Sequence, residues 1–159
     1  DAFNKAWNPW LYKQLNKESL SEKTKVVKIT YVGMLILIIL AISLSLIAPW
    51  FLNFFVGENF AGSSKFVFWI ALGFAFKGMY SITNGYIFYI EKTIHIATIT
   101  FFAALINIVL NYYLIITLKT IGAAIATTIT YLVQFIFTWL LAAHLYDMPW
   151  LFFVKRRRN

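Results

Sequence analysis

Four long apolar stretches, separated by a few polar residues each, dominate the chain. The first runs from about Val26 to Phe55 and holds "YVGMLILIILAISLSLIAPWFLNFF", with Pro49 and Trp50 near its end as an interfacial anchor. The others run from about Ser64 to Ile90, Ile94 to Leu118 and Ile121 to Tyr146. A hydrocarbon core of ~30 Å takes about 20 residues of helix to cross, so each stretch is long enough to span a membrane. The pattern predicts an all-α fold, a polytopic transmembrane helical bundle of four full spans plus the end of a fifth. Residues 1–15 read as the end of a preceding helix with Pro9 near its exit, 16–25 as a loop, 26–146 as the four-span bundle and 147–159 as a basic tail. Short connections predict antiparallel neighbours, and the opening "DAFNKAWNPWLYKQL" reads as the continuation of a longer chain.

The polar positions inside the spans repeat at helical spacing. On the second span Gly73, Lys77, Tyr80, Ser81 and Asn84 follow steps of three or four and share a face, with Phe76, Met79 and Ile87 opposite. Thr100, Ala104, Asn107 and Asn111 make a second stripe, and Ala123, Thr127, Thr130, Gln134 and Thr138 a third. Three such stripes predict a shared hydrophilic cavity. Lys77 stands out because it lies twelve residues after Lys65 and fourteen before Glu91, roughly 18–21 Å from either along a helix. A cation at the centre of a span costs about 2.5–3.5 kcal/mol on insertion scales, so it is expected to face a bundle interior or a watery cavity. Asn, Gln, Ser and Thr also serve as interhelical glue. That is the reading for Thr127, Thr130 and Thr138, while Asn107 and Asn111 fit either role. Gly122, Ala126 and Thr130 have the small-residue spacing that lets backbones approach.

Composition settles the class. The 159 residues are 61% hydrophobic and 13% charged, with mean hydropathy +0.73, against roughly 45–50% and about 25% in soluble domains. The net charge of +8 matters through its placement. Lys13, Lys17, Lys23, Lys25, Lys28, Lys92, Lys155, Arg156, Arg157 and Arg158 fall on one side of the predicted topology, and only Lys65 and Lys119 on the other. The rule that cytoplasmic loops are cation-rich assigns the first side, and the C-terminus, to the cytoplasm. On that rule "VKRRRN" is a headgroup anchor, and no nucleic-acid partner is expected. "NKESLSEKTK" reads as an interfacial helix start with Ser19 as N-cap and Glu22 three residues on. No secretory signal pattern is present.

Little here supports an enzyme. There is no cysteine, which removes disulfides, thiolate metal sites and thiol nucleophiles. Asp1, Glu18, Glu22, Glu58, Glu91 and Asp147 all lie outside the spans, and His95 and His144 sit at span edges. No acid/base pair, metal-ligand spacing or phosphate loop follows, so neither an enzyme nor a cofactor or metal is expected.

"AWNPWLYKQL", "NGYIFYIEKT", "NIVLNYYLI" and "IGAAIATTITYLVQF", in that order over nearly the whole chain, resemble the C-terminal part of the Wzx-type polysaccharide flippases, within the multidrug/oligosaccharidyl-lipid/polysaccharide exporter superfamily. The resemblance implies a two-lobe exporter fold of twelve or more helices, of which this chain would be the end of the eighth and the ninth to twelfth, partnered by a missing N-terminal lobe of the same chain. It further implies multi-pass residence in the cytoplasmic (inner) membrane among membrane lipids, and alternating-access movement of polyprenyl-pyrophosphate-linked oligosaccharide for polysaccharide assembly. Lys77 would then meet the pyrophosphate or acidic sugars, with Tyr80, Asn84, Asn107, Asn111 and Gln134 bonding sugar hydroxyls or orienting the lysine. A drug or cation antiporter of the same superfamily is the alternative, and a membrane-embedded glycosyl- or acyltransferase the more distant one.

Overall fold

Inside hydrocarbon a backbone must satisfy its polar groups within the protein, and a single apolar segment does so only as a helix. The computed structural model describes residues 2–17, 19–56 and 64–150. Over them it is an all-α bundle without strands, made of α1 (Ala2–Leu15), α2 (Leu20–Val56), α3 (Ser64–Tyr89), α4 (Thr93–Leu118) and α5 (Thr120–Leu145). The last four are long and apolar enough to cross a membrane. The cations Lys155, Arg156, Arg157 and Arg158 lie outside the described residues.

One boundary differs from the sequence pattern. Helix α2 begins at Leu20, directly after the Ser19 read as N-cap, so it takes in most of the stretch laid out as a loop, and its 37 residues extend about 55 Å. "SEKTK" is rich in helix formers, and Glu22 in the first turn suits the positive end of the helix dipole. Helix α1 ends at Leu15, where the sequence pattern ends it, with Pro9 inside it six residues earlier.

Turns between the later helices are tight. Three residues, Ile90 to Lys92, separate α3 from α4, with Glu91 at φ 58°, and Lys119 alone at φ 58° separates α4 from α5. That one-residue reversal presses α5 onto α4 so closely that a Cβ at Gly122 would collide with the Leu114 carbonyl. Glycine is therefore required by close approach.

The order in space is not the order in sequence. Helix α3 is central: it packs along α2 and α5 and meets α1 near its end, but touches α4 only sparsely. The α2–α3 pair runs antiparallel, Thr30 Oγ1 meeting Tyr86 Oη at 2.7 Å near one end and Ala41 meeting Ala71 and Ala75 toward the other. The α3–α5 pair is parallel, since Trp69 O accepts from Thr128 Oγ1 at 2.7 Å and Lys77 lies over Tyr131. Helix α4 rests on α5, antiparallel.

This register gathers the end of α1, the start of α2, the α3–α4 turn and the end of α5. Tyr89 Oη donates to Asn16 Oδ1 at 2.8 Å, and Lys23 Nζ donates to the Asp147 carbonyl at 3.4 Å. Lys13, Lys17, Lys23, Lys25, Lys28 and Lys92 thus share one end of the bundle, and Lys65 and Lys119 the other. The cation-rich end holds the main core, where Leu11, Leu15, Val26, Val27, Tyr86, Ile87 and Trp150 are buried among tyrosines and tryptophans. Met148 and Trp150, in the segment read as a tail, pack into it. Tyr31 Oη donates to the Trp150 carbonyl at 3.0 Å, and the Trp150 ring stands edge-on to Tyr86 at 5.2 Å.

Candidate functional site

Because α3 and α4 both lie along α5 while scarcely touching each other, a groove runs between them with α5 as its floor. Into it the sequence pattern delivers the polar sides of all three helices. Lys77 stands on the α3 wall, exposed, its Nζ 5.5 Å from the ring centre of Tyr131 on the floor and 5.7 Å from that of Phe74. An ammonium over an aromatic face is attracted by the ring quadrupole, by about 0.5–1 kcal/mol at exposed sites and more where water is excluded. That offsets part of the burden of a cation at this depth. Among the described residues the ion pair is Lys17 with Glu22, at 3.5 Å, so the rings are the partners Lys77 has.

One turn toward the cation-rich end the groove is bridged. Tyr80 Oη lies 3.2 Å from Thr100 Oγ1, which also receives Gln134 Nε2 at 3.1 Å. A hydroxyl, a phenol and an amide, one from each helix, meet at Thr100. Toward the other end Asn107 Nδ2 donates to Thr130 Oγ1 at 3.1 Å, and Asn111 Nδ2 donates to both the Asn107 carbonyl at 2.9 Å and its Oδ1 at 3.0 Å. Both asparagines are half-buried; Asn107 fastens α4 to α5, and Asn111 braces Asn107 from within α4.

The six residues picked from the sequence therefore divide. Lys77 occupies the open groove, Tyr80 and Gln134 share the Thr100 bridge, and Asn107 and Asn111 act together one helical step beyond. Asn84 stands apart: it is buried, and its Oδ1 has no hydrogen-bond partner among the described residues. Its neighbour Ser81 turns to α1, donating to Asn4 Oδ1 at 2.8 Å. The expected single cavity lined by three stripes is thus a groove in which the α4 and α5 stripes largely satisfy each other.

Of the threonines expected as glue, Thr130 joins α5 to Asn107, Thr127 Oγ1 bonds the Ala123 carbonyl of its own helix at 3.0 Å, and Thr138 is buried with its hydroxyl unpartnered among the described residues. The cross-helix bond from α5 to α3 comes from Thr128 instead.

Two participants escaped sequence reasoning as site residues. Thr100 carried a signal, since it leads the α4 stripe at the spacing of Asn107 and Asn111, but a threonine there is indistinguishable from packing. Tyr131 carried a signal as well, since it lies four residues after Thr127 and three before Gln134 on the α5 stripe, but an aromatic ring there reads as packing, and only the parallel α3–α5 register brings it beneath Lys77. Lys5, next to the Asn4 that meets Ser81, is exposed.

Compared with protein-family models, curated proteins and solved structures, the chain shows no match.

Proposed function

We propose that this chain forms part of one lobe of a Wzx-type flippase, non-enzymatic, which moves polyprenyl-pyrophosphate-linked oligosaccharide across the cytoplasmic membrane by alternating access, with its C-terminus cytoplasmic. The observation that carries the reading is Lys77, an exposed ammonium with aromatic neighbours at mid-span, in a groove whose other polar groups are neutral hydroxyls and amides. A transported anion entering the groove would meet one cation where water and counter-ions are scarce, so the attraction is much stronger than in bulk water. Tyr131 and Phe74 hold the lysine between substrates without neutralising it, as a carboxylate would. Tyr80, Thr100 and Gln134 offer hydroxyls and an amide of the kind that bond sugar hydroxyls. The Thr100 bridge would have to open for a bulky headgroup to pass.

The test is complementation of a flippase-deficient strain by the full-length gene as wild type, Lys77→Ala and Lys77→Arg, scoring surface polysaccharide alongside membrane abundance. The expected order is wild type, then arginine, then an alanine form well below both at equal abundance. Equal polysaccharide from all three rejects the cationic role, and a wild-type gene that fails to rescue while exporting a cationic drug favours the antiporter.

A further inference from the structure

The seam between α3 and α5 continues past the Thr100 bridge. The two helices run parallel, and their facing residues pair in rungs about one turn apart. At the first rung a Cβ on Gly73 would stand 3.1 Å from Thr128 Oγ1, and at the second Lys77 Nζ lies 5.5 Å from the Tyr131 ring centre. At the third, Tyr80 and Gln134 meet at Thr100. The next helical step on the α3 side is Asn84, four residues after Tyr80, and on the α5 side Thr138, four residues after Gln134. These two form the fourth rung.

Both are buried, Asn84 to 8% exposure and Thr138 to 0%, and Asn84 Oδ1 and Thr138 Oγ1 are each without a hydrogen-bond partner among the described residues. Helix α4 runs antiparallel to α5, so Ile96, one turn before Thr100, comes to the same level, and it is buried as well. Its aliphatic side chain offers neither oxygen a bond. Thr138 also differs from Thr127, Thr128 and Thr130, each of which turns its hydroxyl onto the carbonyl four residues back. The Thr138 O–H is not spent in that way, and Asn84 Oδ1 can only accept. A donor and an acceptor thus share a rung without bonding each other. Away from solvent an unbonded polar atom carries its full desolvation cost, and buried waters sit where they can satisfy about two to four such groups at once.

We propose that the Asn84–Thr138 rung binds a single structural water, which accepts from Thr138 Oγ1 and donates to Asn84 Oδ1, joining α3 to α5 at the level of Ile96. Two neutral oxygens, one with a hydrogen to give, suit water rather than a metal cation. The described residues gather no cluster of acidic or histidine side chains that would hold one. The water is held whatever the groove carries, and it makes this rung a mediated joint beside the direct bridge at Thr100.

The test uses the full-length protein in lipid nanodiscs, with water-selective NMR transfer to the Asn84 amide and the Thr138 hydroxyl, and reversible unfolding in micelles. Wild type should show transfer from a slowly exchanging water to both side chains, and Thr138→Ser, which keeps the hydroxyl, should retain it. Thr138→Val, close in shape but without the hydroxyl, should abolish the transfer to Asn84 and raise the unfolding constant roughly fivefold. Asn84→Leu should act in the same direction, and the double variant should lose less than the sum of the two, because the water leaves with both partners. Transfer between Thr138 and Asn84 with none from water would mark a direct bond. Additive losses would mean that nothing links the two side chains. Stability that rises in sodium over choline for wild type and not for Thr138→Val would make this a cation site. Each of these three results overturns the proposal.

Discussion

Helices α3 and α4 are each 26 residues long and joined by three residues, yet they occupy opposite situations. Helix α3 buries Ala71, Gly73, Ala75, Met79, Ile82, Thr83, Asn84, Gly85, Tyr86 and Ile87, whereas α4 buries Ile96 and Ala103. The buried helix is the more polar of the two. In water the order would be reversed. In a bilayer the lipid tails are as apolar as leucine, so burial goes to residues that pack closely or bond across helices: small ones and hydroxyls. Helix α4, left to face lipid or other protein, keeps only the polar side that fastens it to α5.

The largest expected effect tests that contrast directly. Tyr86 is 0% exposed and bonded to Thr30, while Tyr113 on α4 is 63% exposed. Tyr86→Ala should destabilise the protein by about 3 kcal/mol or more and Tyr113→Ala by little, measured as reversible unfolding in micelles. Similar losses at both would mean that α4 is as well packed as α3.

Next in size is a charge on the outer face of α4. Ile108→Lys at an exposed mid-helix position should lower membrane insertion by about 2.5–3.5 kcal/mol if that face meets lipid, read as the inserted fraction in a translocon assay. Near-normal insertion would assign the face to water or to protein.

Gly122→Ala asks whether the seam joining α4 to α5 is as tight as the backbone indicates. Overpacking against the Leu114 carbonyl should cost about 1–3 kcal/mol, seen as a lowered melting temperature. The smallest effect belongs to the glue: Asn107→Ala, which removes the bond to Thr130, should cost about 0.6 kcal/mol by the same unfolding measurement.

Much of the helical layout was legible in the chain, with element ends within a few residues except at α2, where charged helix formers carry the helix into the loop. The site was legible only in part. Three stripes at helical spacing marked the correct faces of α4 and α5, and Asn107 does reach Thr130. The α3 stripe misled, because one run of steps serves three neighbours: Gly73 meets Thr128, Tyr80 meets Thr100 and Ser81 meets Asn4. Spacing shows which residues share a face, and says nothing about how many partners divide it.

By itself, then, the sequence determined the number of membrane-length helices, their approximate ends and the end of the bundle at which the loop lysines from Lys13 to Lys28, Lys65, Lys92 and Lys119 fall. Those are consequences of local hydropathy, turn chemistry and the impossibility of unpaired backbone in hydrocarbon. Only the tertiary structure decided that α3 lies beside α5, in parallel and past its own successor α4, so that Tyr131 comes to rest under Lys77, and that Trp150 returns to the core. The reason is physical: where solvent and side chains are equally apolar, a leucine carries no information about its partner. Pairing is instead settled by close fit at positions such as Gly73 and Gly122 and by a few bonds between distant hydroxyls and amides.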